Sequence, residues 1–181
     1  PLALNSIIAG CRERGLPFDW YTAEAYFVEQ TCALTEIHYE YLKVYPKLEK
    51  FSAGAITKPL LKLVIIAQNE KDEDYVRALV GKAPNVSLAI GSGAAHPGIR
   101  FANVVSDEAT RERAFAWMLS HYGVQADDVL AFGDAEADTP FLSAAGWGTA
   151  MGNAAPEVQK QSRFVTASVE SDGVALAIEQ I

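Results

Sequence analysis

The segment from Val129 to Asp138 constrains the fold of this chain more than any other segment. Its four apolar residues before Gly133 are too few for a helix and predict a strand that is buried on both faces. Gly133 allows a sharp turn after the strand, which places Asp134 at the carboxyl edge of a sheet. Pro140 lies in the next first turn, which predicts a helix with Asp138 as its N-cap.

Two carboxylates at one strand–helix junction have two interpretations. Asp134 and Asp138 could together bind a hard cation such as Mg²⁺, because this ion takes oxygen ligands. Alternatively, Asp134 is only a turn residue and Asp138 only a helix cap, since a short motif also occurs by chance. The segment by itself does not decide between them.

Composition limits the classes of partner. The chain has 181 residues, a formal net charge of -8 and a pI of about 4.9, so a nucleic-acid backbone or an anionic membrane is not an expected partner. No run approaches the roughly 18 apolar residues of a membrane span. Cys11 and Cys32 are the only cysteines, which provide no disulfide framework and favour a reducing cytoplasm.

The first hundred residues predict an α+β module with an antiparallel sheet. Apolar residues at helical spacing predict one helix before Gly15 and a second that ends near Pro46. His38 lies on the apolar stripe of the second helix, so we interpret it as a packed core histidine. The predicted strands cover residues 17–21, 25–28, 60–67, 86–90 and 99–105.

From Asp107 onward helices and strands alternate, which predicts a parallel sheet. Asp107 is the expected N-cap of a helix that ends at Gly123. The apolar stripe predicted to be buried on that helix consists of Phe115, Met118, Leu119 and Tyr122. The last helix is expected to begin at Asp172 and to bury Val174, Ala177, Ile178 and Ile181.

With these residues identified, the chain resembles the Cof-type sugar-phosphate phosphatases of the haloacid dehalogenase superfamily. The resemblance is strong from about residue 99 onward and weak before it. Its motifs follow in order at close spacing, which is more specific than a lone Gly-Asp. They are Gly133–Asp138, Ala144–Gly146, Ala150–Ala154, Val165–Ser168 and Asp172–Val174.

The resemblance implies an α/β protein of two domains. Residues 1–100 would form an α+β cap that sets substrate specificity, and residues 101–181 the C-terminal part of a Rossmann-like core. The implied activity is Mg²⁺-dependent hydrolysis of small phosphorylated metabolites such as sugar phosphates. Asp134 and Asp138 would hold the metal, Arg111 and Asp138 would have catalytic roles, and Arg111 and Asn153 would bind phosphate.

Three features depart from the family pattern. The Asp-x-Asp strand that carries the family's nucleophile is absent, Arg111 stands where the family has Lys, and Ala137 stands where it has Asn. Arginine keeps the charge but has a different geometry from lysine. We therefore expect no turnover by the isolated chain.

The missing strand has a structural consequence, because it would lie beside the strand that ends at Gly133. Without it that strand has a bare edge, and bare apolar edges recruit partners. The expected partner is a second copy of the chain or a segment that completes the sheet. The alternative interpretation is a non-catalytic binding or oligomerisation module derived from such a phosphatase.

Overall fold

The computed structural model describes residues 2–52, 59–93 and 95–180. Ile181 of the last predicted helix lies outside these ranges. The chain divides into two compact units, Pro1–Glu108 and Ala109–Ile181. The predicted boundary at residue 100 falls inside a strand, His96–Ser106, that pairs along its length with the first unit's sheet. The first compact unit extends eight residues beyond the predicted boundary.

The first unit is an α+β structure, as expected. Among the described residues its six strands form one sheet in the order β3-β2-β1-β4-β6-β5, antiparallel except for β2 and β3. Its elements are α1 (Leu2–Arg14), β1 (Phe18–Tyr21), β2 (Tyr26–Val28), α2 (Ala33–Leu42), β3 (Lys47–Leu48), β4 (Lys62–Ala67), α3 (Glu70–Val80), β5 (Val86–Gly93) and β6 (His96–Ser106).

One face of this sheet carries the apolar core. Trp20 lies opposite Leu63, and Leu63 lies opposite Val104, so the three side chains share that face. They pack in one buried cluster with residues of α1 and α3. The helix predicted before Gly15 is confirmed as α1, and its apolar residues Ile7, Ile8 and Cys11 are all buried.

The opposite face of the sheet is polar at its centre. Asp19 is fully buried there, and its carboxyl group is hydrogen-bonded to the imidazole of His38 of α2. The His38 ring also packs 4.8 Å from the ring of Phe101. His38 is thus packed as predicted, but a buried carboxylate as its partner was not predicted.

The second unit contains a parallel sheet, also as expected. Among the described residues its three strands have the order β7-β8-β9. Its elements are α4 (Arg111–Tyr122), β7 (Leu130–Gly133), α5 (Thr139–Ala144), β8 (Trp147–Ala150), α6 (Pro156–Gln161), β9 (Phe164–Val165) and α7 (Gly173–Ile178). Short 3-10 turns lie at Asp107–Ala109, Ala126–Asp128, Glu136–Asp138 and Val169–Ser171.

Two details of α4 differ from the prediction. Thr110, not Asp107, is its N-cap, because the Thr110 hydroxyl accepts the N–H of Arg113 at 3.3 Å. No side chain of α4 is buried, and Met118 and Tyr122 of the predicted stripe are exposed. Helical periodicity identifies one face of a helix, but it does not show whether another element covers that face.

α7 departs from its prediction in the same way. Val174 and Ile178 of its predicted face are exposed in the structure. The buried cluster of this unit is small and rich in alanine, and it consists of Ala131, Leu142, Ala145, Ala150, Ala154 and Val158. The second unit therefore leaves much apolar surface uncovered for its size.

Candidate functional site

The candidate site is built on the loop that follows β7. Gly133 is the last residue of β7, and the side chain of Asp138 lies directly against it. A Cβ atom added to Gly133 would lie 2.5 Å from the Cβ of Asp138, closer than real contacts allow. The loop therefore returns under the end of the strand, and only glycine leaves room for it.

Asp138 holds this loop together. Its side chain is almost buried, with the residue 8% exposed. One oxygen, Oδ2, accepts the backbone N–H of Asp134 at 3.1 Å and that of Ala135 at 3.0 Å. Asp138 occupies the N-cap position of α5, as predicted, but its side chain makes no cap bond to that helix and its carboxylate points back into the loop.

Arg111 pairs with the other oxygen of the same carboxylate. Its Nη1 donates to Asp138 Oδ1, which joins the first residue of α4 to the loop after β7. The Arg111 side chain is still 55% exposed. A guanidinium has five N–H donors, so the donors on its exposed side can bind an anion while Asp138 fixes its position.

Asn153 connects the remaining part of the site. It follows β8, and its Nδ2 donates to Asp134 Oδ2 at 3.0 Å. Its own Oδ1 accepts the backbone N–H of Val169 at 3.0 Å. The Asp134 side chain itself is exposed. Hydrogen bonds thus run from Arg111 through Asp138 and Asp134 to Asn153, which places the four predicted residues at one site.

A second glycine contact supports the loop behind Asn153. A Cβ atom on Gly173 would lie 2.1 Å from the backbone oxygen of Ala167, so the start of α7 can approach this closely only with glycine there. The Thr166 hydroxyl donates to the Gly173 carbonyl at 2.7 Å. Sequence reasoning singled out Asp172–Val174 only as a motif and missed the supporting role of Thr166.

The residues fit a divalent cation only in part. Among residues 2–52, 59–93 and 95–180, no three His, Cys, Asp or Glu side chains gather as a metal site. The two oxygens of Asp138 already accept three hydrogen bonds. Asp134 is exposed and fits better, since Mg²⁺ is commonly held by one or two carboxylates, with water and phosphate oxygens as the other ligands.

The second unit is thus a parallel α/β structure with an arginine and a carboxylate at the end of a strand. The chain belongs to the haloacid dehalogenase-like hydrolases, whose family profile matches residues 2–178. The chain is 30% identical over 182 residues to a candidate phosphatase of Haemophilus influenzae, a match that covers 99% of this chain and 64% of that protein.

Solved structures confirm the α/β fold class. A haloacid dehalogenase-like hydrolase from Bacteroides thetaiotaomicron matches with a TM-score of 0.79 at 22% identity, over 98% of this chain and 65% of that one. A sugar phosphatase of subclass IIB matches with a TM-score of 0.76 at 23% identity, over the same shares of the two chains. The chain thus spans slightly less than two thirds of these proteins.

In the described part of the chain, no helix combines the length and apolar character needed to cross a bilayer.

Proposed function

We propose that this chain supplies the phosphate- and metal-holding part of a Mg²⁺-dependent phosphatase that acts on small phosphorylated metabolites such as sugar phosphates. The observation that carries this proposal is the half-exposed guanidinium of Arg111, fixed by the nearly buried carboxylate of Asp138. The H. influenzae relative described as a candidate phosphatase supports the same reaction class. The sugar phosphatase among the structural neighbours suggests the substrate class.

Each residue then has a distinct role. Arg111 binds phosphate oxygens and lowers the cost of bringing a dianion to an acidic protein. Asp138 positions Arg111 and the loop rather than contacting substrate. Asp134 is the proposed ligand of Mg²⁺, which when bound would offset further phosphate charge. Asn153 orients Asp134, as hydrogen-bonded neighbours of metal ligands commonly do.

The nucleophile is not among these residues. The one Asp-x-Asp spacing in the sequence, Asp72 and Asp74, lies in the first turns of α3 and not at a strand end. Asp72 already accepts hydrogen bonds there from Asn69 and Gln68. The chain by itself is therefore proposed to bind phosphate without hydrolysing its esters.

Binding measurements test this proposal. Replacing Arg111 by glutamine should weaken the binding of glucose 6-phosphate about tenfold or more, because a charge-assisted hydrogen bond is lost. Asp134→Asn should weaken Mg²⁺ binding and leave metal-free phosphate binding nearly unchanged. Titration calorimetry with and without Mg²⁺ measures both effects. The matched control is Arg113→Gln on the same helix. Equal effects of the two arginine variants would refute the proposed site.

A second function, self-association, is favoured by the exposed apolar surface of the second unit. Trp147 and Phe164 are 44% and 46% exposed, and their rings stack 5.4 Å apart on neighbouring strands. Val165 beside them is also exposed. Among the described residues, β7 is an edge strand of its sheet. A second copy or a completing segment could cover this surface.

Sedimentation of the purified chain tests self-association. We expect concentration-dependent dimers at micromolar concentrations, and Phe164→Glu should shift them to monomers because the charge cannot be buried without cost. Val44→Glu, at an exposed apolar residue of the first unit, is the control and should change little. A wild-type monomer over the whole concentration range would leave the completing segment as the remaining candidate.

A further inference from the structure

A polar cluster lies on the face of the first unit's sheet opposite the apolar core. It consists of Asp19, Tyr21, His38, Lys62 and Asn103. Strand register places four of these on one face, because Tyr21 lies opposite Lys62 while Asp19 and Asn103 both lie opposite Val64. The fifth, His38, reaches the cluster from α2 through its pair with Asp19. The sequence contains this cluster only as scattered residues from β1, α2, β4 and β6.

Lys62 supplies a positive charge to the cluster. Asp19 and His38 are both buried and are hydrogen-bonded to each other, so they face one another rather than a ligand. Lys62 can therefore attract an anion locally, although the whole chain has a formal net charge of -8.

Two contacts hold the ammonium group of Lys62 in place, and they leave it with the capacity to donate further hydrogen bonds. Its Nζ lies 4.4 Å from the centre of the Tyr21 ring, which is a cation–π contact. The same Nζ donates one long hydrogen bond of 3.4 Å to Asn103 Oδ1. An ammonium group has three donors, so this arrangement leaves capacity for a stronger acceptor. Partial burial lowers the pKa of Lys62, and the negative charge of Asp19 opposes that shift.

A purely structural role does not account for the cluster. Anchoring α2 to the sheet requires His38 and one oxygen of Asp19, Oδ2. The other oxygen of Asp19, Oδ1, and the hydroxyl of Tyr21 are buried and have no hydrogen-bond partner among the described residues. Each such atom destabilises a finished core, and sites that bind a ligand are where such exceptions concentrate.

We infer that Lys62, Asn103 and Tyr21 form a binding site for the carboxylate of a small hydroxylated acid. One lysine charge matches one carboxylate charge, and the partly exposed Asn103 offers a polar contact for a neighbouring hydroxyl. The Asp19–His38 pair beneath them positions the strand residues. The inference concerns the first unit alone and does not depend on the proposed phosphate site.

Two ligands that differ only in the charged group test this inference. Gluconate and glucitol have the same carbon chain, but only gluconate carries a carboxylate. Titration of the intact chain, followed by NMR, should show gluconate binding at least tenfold more tightly than glucitol. Lys62→Met should remove that preference, while Lys62→Arg should retain much of it.

Two control variants make the test decisive. Lys82→Met removes an equal charge at an exposed position of the same unit and should leave gluconate binding unchanged. Arg111→Gln should also leave it unchanged, which separates this site from the proposed phosphate site. No preference for gluconate in the wild type, or equal losses in Lys62→Met and Lys82→Met, would overturn the inference. Circular dichroism of Lys62→Arg and Lys62→Met checks that both variants keep the fold.

Discussion

Replacing Asp19 by alanine should lower the free energy of unfolding of the first unit by about 3 kcal/mol or more. Asp19 is fully buried, and its Oδ2 is hydrogen-bonded to Nδ1 of His38. Removing one partner of a buried pair leaves the other without its hydrogen bond in a low-dielectric surrounding. The loss should also weaken the attachment of α2, because His38 is one of three buried residues on that helix.

Denaturant unfolding followed by Trp20 fluorescence measures this effect, in a background where Trp117 and Trp147 of the second unit are phenylalanine. The chain contains a matched control, because Glu40 and His96 form another carboxylate–imidazole pair, 3.3 Å apart and partly exposed. Glu40→Ala should cost less than about 1 kcal/mol, since solvent already screens that pair. Similar losses in the two variants would show that burial of Asp19 does not matter.

The Asp19–His38 pair also makes stability depend on pH in a definite direction. Burial raises the pKa of Asp19, and the hydrogen bond to His38 opposes the rise. The folded state therefore holds the Asp19 proton more tightly than the unfolded state does. That contribution is complete below the ordinary aspartate pKa of about 4 and is lost as pH rises through the raised value.

Comparison with Asp19→Asn isolates this dependence, because asparagine cannot titrate. The stability of the wild type should fall relative to the variant as pH rises from about 4. Unfolding curves for both proteins across a series of pH values provide the measurement. If the two stability profiles stayed parallel at every pH, the raised pKa of Asp19 would be contradicted.

Gly148→Ala should destabilise the second unit by about 3 kcal/mol or more. A Cβ atom at this position would lie 1.8 Å from the backbone oxygen of Leu142, at the end of α5. Backbone cannot give way as a flexible side chain can, so α5 and β8 would have to move apart. They share the small buried cluster of this unit, which has few other contacts to compensate.

Gly91→Ala provides the control for this effect. Gly91 also lies in a strand, but a Cβ atom there meets nothing within 4 Å. Its effect on unfolding should stay within about 0.5 kcal/mol, as expected for a substitution away from special features. Thermal unfolding of both variants distinguishes them. A Gly148→Ala protein as stable as the wild type would show that β8 and α5 separate without cost.

Much of the fold could be predicted from the sequence because periodicity and turn residues are local signals. The stripe of α1 and the strand pair around residues 17–28 follow from spacing alone. The exposure of Met118 could not be predicted, because it depends on which elements pack against α4. The change of Asp138 from expected cap to loop anchor has a similar cause, since cap preference describes one turn of chain and not its folding back.

The two candidate sites also differ in how far the sequence could predict them. Arg111, Asp134, Asp138 and Asn153 were found together because a resemblance supplied their grouping, and the structure connects them by hydrogen bonds. The cluster around Lys62 had no such motif. Lys62 and Asn103 are 41 residues apart, and only strand register brings them together. The spacing of Lys62 and Asn103 along the sequence does not show that their side chains lie close together in space.

The contact between Gly133 and Asp138 couples the residues that these two positions can hold. Any side chain at 133 meets the carboxylate of Asp138, so a substitution there can persist only if residue 138 moves or is replaced. Moving that carboxylate would release Arg111 as well. A Gly133→Ala substitution could thus abolish anion binding at the proposed site, although every polar residue of that site remains in the sequence. Variants at position 133 should therefore be judged with position 138, never alone.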